Sequence, residues 1–226
     1  MELRRDDVEA RLKIPVAYQK MIDLLTKLSS NLNELLKIIN QTIYNFDNMN
    51  IDELNTQINS CREIKKNIEI IKNELIDYIS KAAPALLAKE EWIRLLSKLS
   101  GLSDKAIGIM YRIEQLLLNH WHIPPKVRSS LVKLVLEILK MLDECKLALS
   151  LIGINANRTL SACSQIERIE KGVDELYRRA IFLIIRCECS FQEVLLLRDI
   201  AEMLEEMADT LESTVDDIRI ILMNLL

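Results

Sequence analysis

Residues Arg198–Ile218 read RDIAEMLEEMADTLESTVDDI, and the two sides of this stretch differ sharply in chemistry. Ile200, Leu204, Met207, Leu211, Val215 and Ile218 recur in steps of three and four, the spacing that defines one face of a helix. Glu202, Glu205, Asp209, Glu212 and Asp216 fall within roughly 80° of one another on the other side, at about 100° per residue. Between Arg198 and Arg219 there is no lysine or arginine. The stretch therefore predicts a long amphipathic helix, starting near Phe191 and running to the C-terminus, with one apolar face and one acidic face.

Working outward, the same pattern occurs earlier in the chain. EEWIRLLSKLSGLSDKAIGIMYRIEQLL (Glu90–Leu117) can be laid over Gln192–Leu222 with Asp104 on Asp209, Ile113 on Ile218 and Leu117 on Leu222, an offset of 105 residues. For the preceding helices, setting Asn67 on Asp174 gives an offset of 107. A repeat of this length predicts two three-helix units, residues 1–122 and 123–226. In the first unit, a helix follows Pro15 and ends in the Asn-rich stretch Asn45–Asn50. A second runs from near Asp52 to before Pro84, and a third from near Lys89 to about Leu118. His120-Trp121-His122-Ile123-Pro124-Pro125 is the strongest break. Beyond it, helices are expected over about Lys126–Leu151, closed by Gly153-Ile154-Asn155, and over about Asn157–Cys187.

Composition agrees with an all-α fold of six long helices packed as a bundle. The 226 residues include four glycines, four prolines and ten aromatic residues, so turn formers and strand formers are both scarce. Half the chain is hydrophobic and 28% is charged, the mix of a folded globular protein. The net charge of −4 gives no basic face for a phosphate backbone, which argues against nucleic acid as a partner. Residues 1–122 carry as many bases as acids, so the whole excess negative charge lies in the second half. No secretory signal and no apolar run long enough to span a bilayer are visible, so a cytoplasmic protein without direct membrane insertion is expected.

The cysteines, Cys61, Cys145, Cys163, Cys187 and Cys189, read as reduced intracellular thiols used as small apolar residues. Cys187 and Cys189 would point roughly 200° apart if both stood on a helix, which disfavours a shared soft metal. His120 and His122 are the only histidines and read as linker surface. The Glu-x-x-His pairs of a di-iron carboxylate enzyme are missing, and four scattered glycines make no phosphate-binding loop. No catalytic residue emerges, and no enzyme is expected.

The acidic face remains. Like charges four apart weaken a helix by about 0.2–0.5 kcal/mol per pair, and Glu205/Asp209 and Glu212/Asp216 repeat that penalty. Glu170 and Asp174 form a similar pair on the preceding helix. If the two helices are antiparallel neighbours, Glu170, Asp174, Glu205 and Asp209 can converge on one site suited to a hard cation. A solvated acidic surface is the alternative.

At these residues, IERIEKGVDELYRRAI (Ile166–Ile181) and RDIAEMLEEMADTLESTVDDI, the sequence resembles the PhoU-like family, specifically the branch that accompanies Pit-type phosphate transporters. The resemblance implies two three-helix repeats with Glu/Asp-x-x-x-Asp motifs in the second and third helices of each. It also implies a regulator, not an enzyme, that contacts a membrane phosphate transporter at its cytoplasmic face or a signalling partner, and leaves room for a homodimer. Several members bind iron, zinc or other metal on these motifs. Carried over, Glu170, Asp174, Glu205 and Asp209 are the expected ligands of an iron, zinc or manganese ion, with Glu202 a weaker candidate. The first repeat departs from the pattern: Glu63-x-x-x-Asn67 and Ser100-x-x-x-Asp104 each lose a carboxylate, so Glu63 and Asp104 are expected to form a weak site or none. Two rival readings stay open: a metal-free helical adaptor or scaffold with a solvated acidic face, and a protein that kept the fold and lost the transport role.

Overall fold

The structure, a computed structural model, describes residues 16–82 and 87–225. Regular structure among them is helical throughout: α1 (Val16–Tyr44), a short 3-10 turn (Phe46–Asn48), α2 (Ile51–Ala82), α3 (Lys89–Leu118), α4 (Pro125–Leu151), α5 (Ala156–Ile185) and α6 (Phe191–Leu225). The six long helices run for 27 to 35 residues each. The helix-start reading at Pro15 and the stop before Pro84 lie outside the described residues.

Local chemistry explains where the helices begin and end. Asn50 and Glu53 cap α2 reciprocally: the Glu53 amide donates to Asn50 Oδ1 at 2.9 Å and the Asn50 amide to Glu53 Oε2 at 3.1 Å. Ser190 and Glu193 repeat the device at the start of α6. Asn155 Oδ1 accepts the Arg158 amide at 3.0 Å and starts α5. His120 stops α3 by taking a left-handed conformation (φ 55°). Its amide then donates to Leu117 O and that of Trp121 to Leu116 O, satisfying two carbonyls of the last turn. Gly153, at φ 73°, turns the chain after α4.

The helices α1, α2 and α3 pack on one another, as do α4, α5 and α6, and the two groups meet where α1 lies on α4 and α3 on α6. One apolar core runs through both. Leu204, Met207, Leu211 and Ile218 of the quoted stretch are fully buried in it, and burying such a side chain contributes about 1.5–3 kcal/mol. The buried positions also fix how the groups correspond. Trp92, Leu99, Ala106 and Ile113 on α3 stand 105 residues before Leu197, Leu204, Leu211 and Ile218 on α6. On α2, Ile58, Cys61, Ile68 and Leu75 stand 105 residues before Cys163, Ile166, Val173 and Ala180 on α5. The offset of 107 expected for α2 and α5 is therefore corrected to 105. A shift of two residues turns a helix by roughly 200°, so it would have put core positions in solvent. The counterpart of Asp174 is Glu69, and that of Glu170 is Lys65.

The contact between α3 and α6 is electrostatic as well as apolar. Arg94 and Lys98 close on the buried Asp217 at 3.0 and 2.7 Å, Lys105 pairs with Glu206, and Arg112 meets Asp199 at 3.0 Å. The bases missing from α6 itself are thus supplied by α3. They answer only the edge of α6 that faces them.

Candidate metal centre

The other edge of α6 faces α5, which runs antiparallel to it. There Glu170 and Asp174 from α5 and Asp209 from α6 bring one carboxylate oxygen each within 4.8 Å of the others. Of the four expected ligands, the structure brings these three together. Glu205 stands one turn of α6 away from Asp209 and feels both Asp209 and Asp174. Glu202 lies further along, ion-paired with Arg198 of its own helix at 3.4 Å.

The electrostatics of the cluster are dominated by burial and mutual repulsion. Partial burial pushes the Glu170 carboxyl above the ordinary carboxylate range, and Asp174, Asp209 and Glu212 push it further. Glu205 and Asp209 are raised for the same reasons, burial first and neighbouring carboxylates second. Two bases stand at the margin. Arg178 reaches Asp174 at 3.5 Å in an exposed pair along α5, and Lys105 tempers Asp209 from α3. The next step along the seam is closed differently: Arg219 of α6 grips Glu167 of α5 through two bonds of 2.6 and 2.9 Å, which hold the Glu167 carboxyl below its usual range. The donor set is all oxygen and negatively charged, which fits a hard or borderline cation such as manganese or iron better than a soft one.

The matching seam between α2 and α3 is filled. Lys65 sits at the position of Glu170 and places its ammonium 2.7 Å from Asp104 and 3.9 Å from Glu69. Its bond to Asp104 raises the Lys65 pKa and keeps the ammonium charged. Asp104 is thus spent on a lysine. Glu63 is not its neighbour: it lines a groove between α1 and α2 with Glu34 and Ile38. Glu63 and Asp104, expected to form a weak site or none, stand apart, because Glu63 is two residues, roughly 200° of helix, from the Lys65 that meets Asp104.

A second group of donors was missed by the sequence reading. His122, Cys189 and Glu193 also bring one ligand atom each within 4.8 Å of one another. The helical argument against Cys187 and Cys189 fails because α5 ends at Ile185. The amide and the thiol of Cys187 both donate to Ile184 O, at 3.3 and 2.9 Å, and close the helix there. The available signal was two doublets, His-x-His and Cys-x-Cys, each next to a helix end.

No protein-family model matches this sequence, and neither does any curated protein. Solved structures do share its fold. A PhoU-like protein from Shewanella oneidensis MR-1 superposes with a TM-score of 0.66 over 90% of this chain and 99% of its own, at 14% identity. The phosphate transport system regulatory protein PhoU from Streptococcus pneumoniae superposes with a TM-score of 0.68 over 90% of this chain and 94% of its own, at 16% identity. The chain therefore has the PhoU helical-bundle fold. No helix among the described residues is long and apolar enough to cross a membrane.

Proposed function

We propose that this chain is a cytoplasmic regulator of phosphate transport that acts through protein contacts and holds a metal ion on Glu170, Asp174 and Asp209, with Glu205 at the margin. One observation carries the reading: three carboxylates from two helices meet with only the exposed Arg178 paired at their margin, and burial and mutual repulsion still raise Glu170 and Asp209, on a fold shared with phosphate-transport regulators. A cation bound there supplies positive charge that offsets the repulsion. The chain's own residues do the rest: Glu170 and Asp174 hold the ion from α5, Asp209 holds it from α6, and the Glu167–Arg219 pair keeps the seam in register. Iron, manganese or zinc would serve, oxygen donors favouring the first two.

The partner in this reading is a membrane phosphate transporter at its cytoplasmic face, of the Pit type, or a signalling protein attached to it. Exposed Phe182, Ile185 and Phe191, at the end where α5 turns into α6, offer an apolar contact surface beside Arg179 and Arg186. Burial pushes the Cys61 and Cys145 thiols up to about 12, well above the range of a reactive thiolate.

The rival, a metal-free adaptor, draws on the exposed Arg178–Asp174 pair. Phosphate uptake in cells lacking the protein separates the readings. Uptake altered several-fold, and restored by the wild type but not by the Asp174→Asn/Asp209→Asn double variant, is the expected result. Unchanged uptake would sink the regulator, and full restoration by the double variant would favour the adaptor.

A further inference from the structure

We infer that His122 and Cys189, together with Glu193, form a second metal site, selective for zinc and separate from the carboxylate cluster. Its donors come from segments far apart in sequence: His122 from the link between α3 and α4, and Cys189 from the turn between α5 and α6. Glu193 lies in the first turn of α6, with only 6% of its side chain exposed. Three observations place the site.

The imidazole is held. His122 Nδ1 lies 2.7 Å from Glu193 Oε1, and the His122 amide donates to the same oxygen at 3.0 Å. An ionised carboxylate only accepts, so Nδ1 donates to it and Nε2 is the ring nitrogen left for a metal. A carboxylate that fixes the tautomer and orientation of a histidine is the usual outer support of a histidine-bound metal. The other Glu193 oxygen accepts the Ser190 amide at 2.7 Å, so the carboxylate is locked from both sides.

The sulfur is in place. Cys189 Sγ, an imidazole nitrogen and a Glu193 oxygen lie within 4.8 Å of one another, within reach of a single ion. Cys189 is half-buried, in the turn just before α6. Nitrogen and thiolate sulfur select zinc, whereas the oxygen-only cluster between α5 and α6 selects harder ions. Binding requires the thiol to lose its proton to solvent as the ion enters.

The position has a structural consequence. A zinc ion here ties the connector between the two halves of the chain to the start of α6, the helix that carries Glu205 and Asp209. The site therefore sets how firmly α6 is held at its N-terminal end.

Cobalt(II), as a spectroscopic stand-in for zinc, tests the site in full-length, untagged, metal-stripped protein kept reduced. One equivalent should produce a thiolate-to-cobalt charge-transfer band and strong tetrahedral visible bands, and zinc should bleach both. The Asp174→Asn/Asp209→Asn variant should keep the bands. Cys189→Ser should abolish them, with at least a 100-fold loss of zinc affinity, and His122→Ala should weaken them. Because the wild-type spectrum alone is decisive, a poorly folded variant does not protect the proposal. Absence of a charge-transfer band in the reduced wild type overturns it, and so does an unchanged band in Cys189→Ser.

Discussion

Two seams of this molecule occupy equivalent places, and where one holds a lysine the other holds a glutamate. Between α2 and α3, Lys65 reaches into Asp104 and Glu69. Between α5 and α6, the same position holds Glu170, which faces Asp174 and Asp209. In the first seam the carboxylates are neutralised by a cation that belongs to the chain. In the second no lysine fills that position, the exposed Arg178 reaches only Asp174, and the carboxyl groups of Glu170, Glu205 and Asp209 hold protons more tightly. On the proposed reading, the sign of the charge at this one position largely decides whether such a seam closes on itself or takes an external ion.

The largest effect is expected from exchanging that residue. Glu170→Lys should reproduce the first seam in the second and abolish metal binding, with a loss exceeding the about 100-fold that follows removal of even an outer partner of a metal ligand. Manganese titration followed by calorimetry checks it. The reverse exchange, Lys65→Glu, should open a second manganese site between α2 and α3 and cost the metal-free protein about 1 kcal/mol, the scale of a partly exposed ion pair. Retention of a single manganese in that variant would break the comparison.

Proton linkage sharpens it at a smaller scale. The folded, metal-free chain binds protons at Glu170, Glu205 and Asp209 more tightly than the unfolded chain, because their folded values are raised. Stability from these groups is therefore greatest below the ordinary carboxylate range and is lost as pH rises through it and through the raised folded values. Denaturant melts across that window should show the decline, and Asp209→Asn should flatten it. A decline of equal size in the double variant Asp174→Asn/Asp209→Asn would assign it elsewhere. The smallest effect concerns the bases at the ends of the seams. Arg219→Ala removes a two-bond pair with Glu167 and should cost about 1 kcal/mol. Arg62→Ala, at an exposed arginine resting near Tyr111, should stay within about 0.5 kcal/mol.

Much of this was legible in the sequence, and the physical reasons are specific. Apolar steps of three and four over some thirty residues admit only long helices, so the helix boundaries that fall on described residues were placed to within two residues. The convergence of Glu170, Asp174, Glu205 and Asp209 was legible only on the condition that α5 and α6 are antiparallel neighbours, and three of the four meet within 4.8 Å. The register of α2 against α5 did not follow, because matching Asn67 to Asp174 compared polar residues, whereas packing is decided by Ile68 and Val173. That choice hid Lys65. The bases that answer Asp199, Glu206 and Asp217 lie about a hundred residues away on α3, a pairing that only the fold brings together. Cys187 and Cys189 were misread for a smaller reason: helical periodicity does not show that a thiol donates to Ile184 O and ends α5 two residues early.

The most direct test is the number of manganese ions bound per chain at equilibrium, measured on untagged, metal-stripped wild-type protein and on the Glu170→Lys and Lys65→Glu variants side by side. Manganese prefers oxygen donors and so reports on the carboxylate seams. One ion in the wild type, none in Glu170→Lys and two in Lys65→Glu is the expected outcome. The same number in all three proteins, or none in the wild type at millimolar metal, would contradict it.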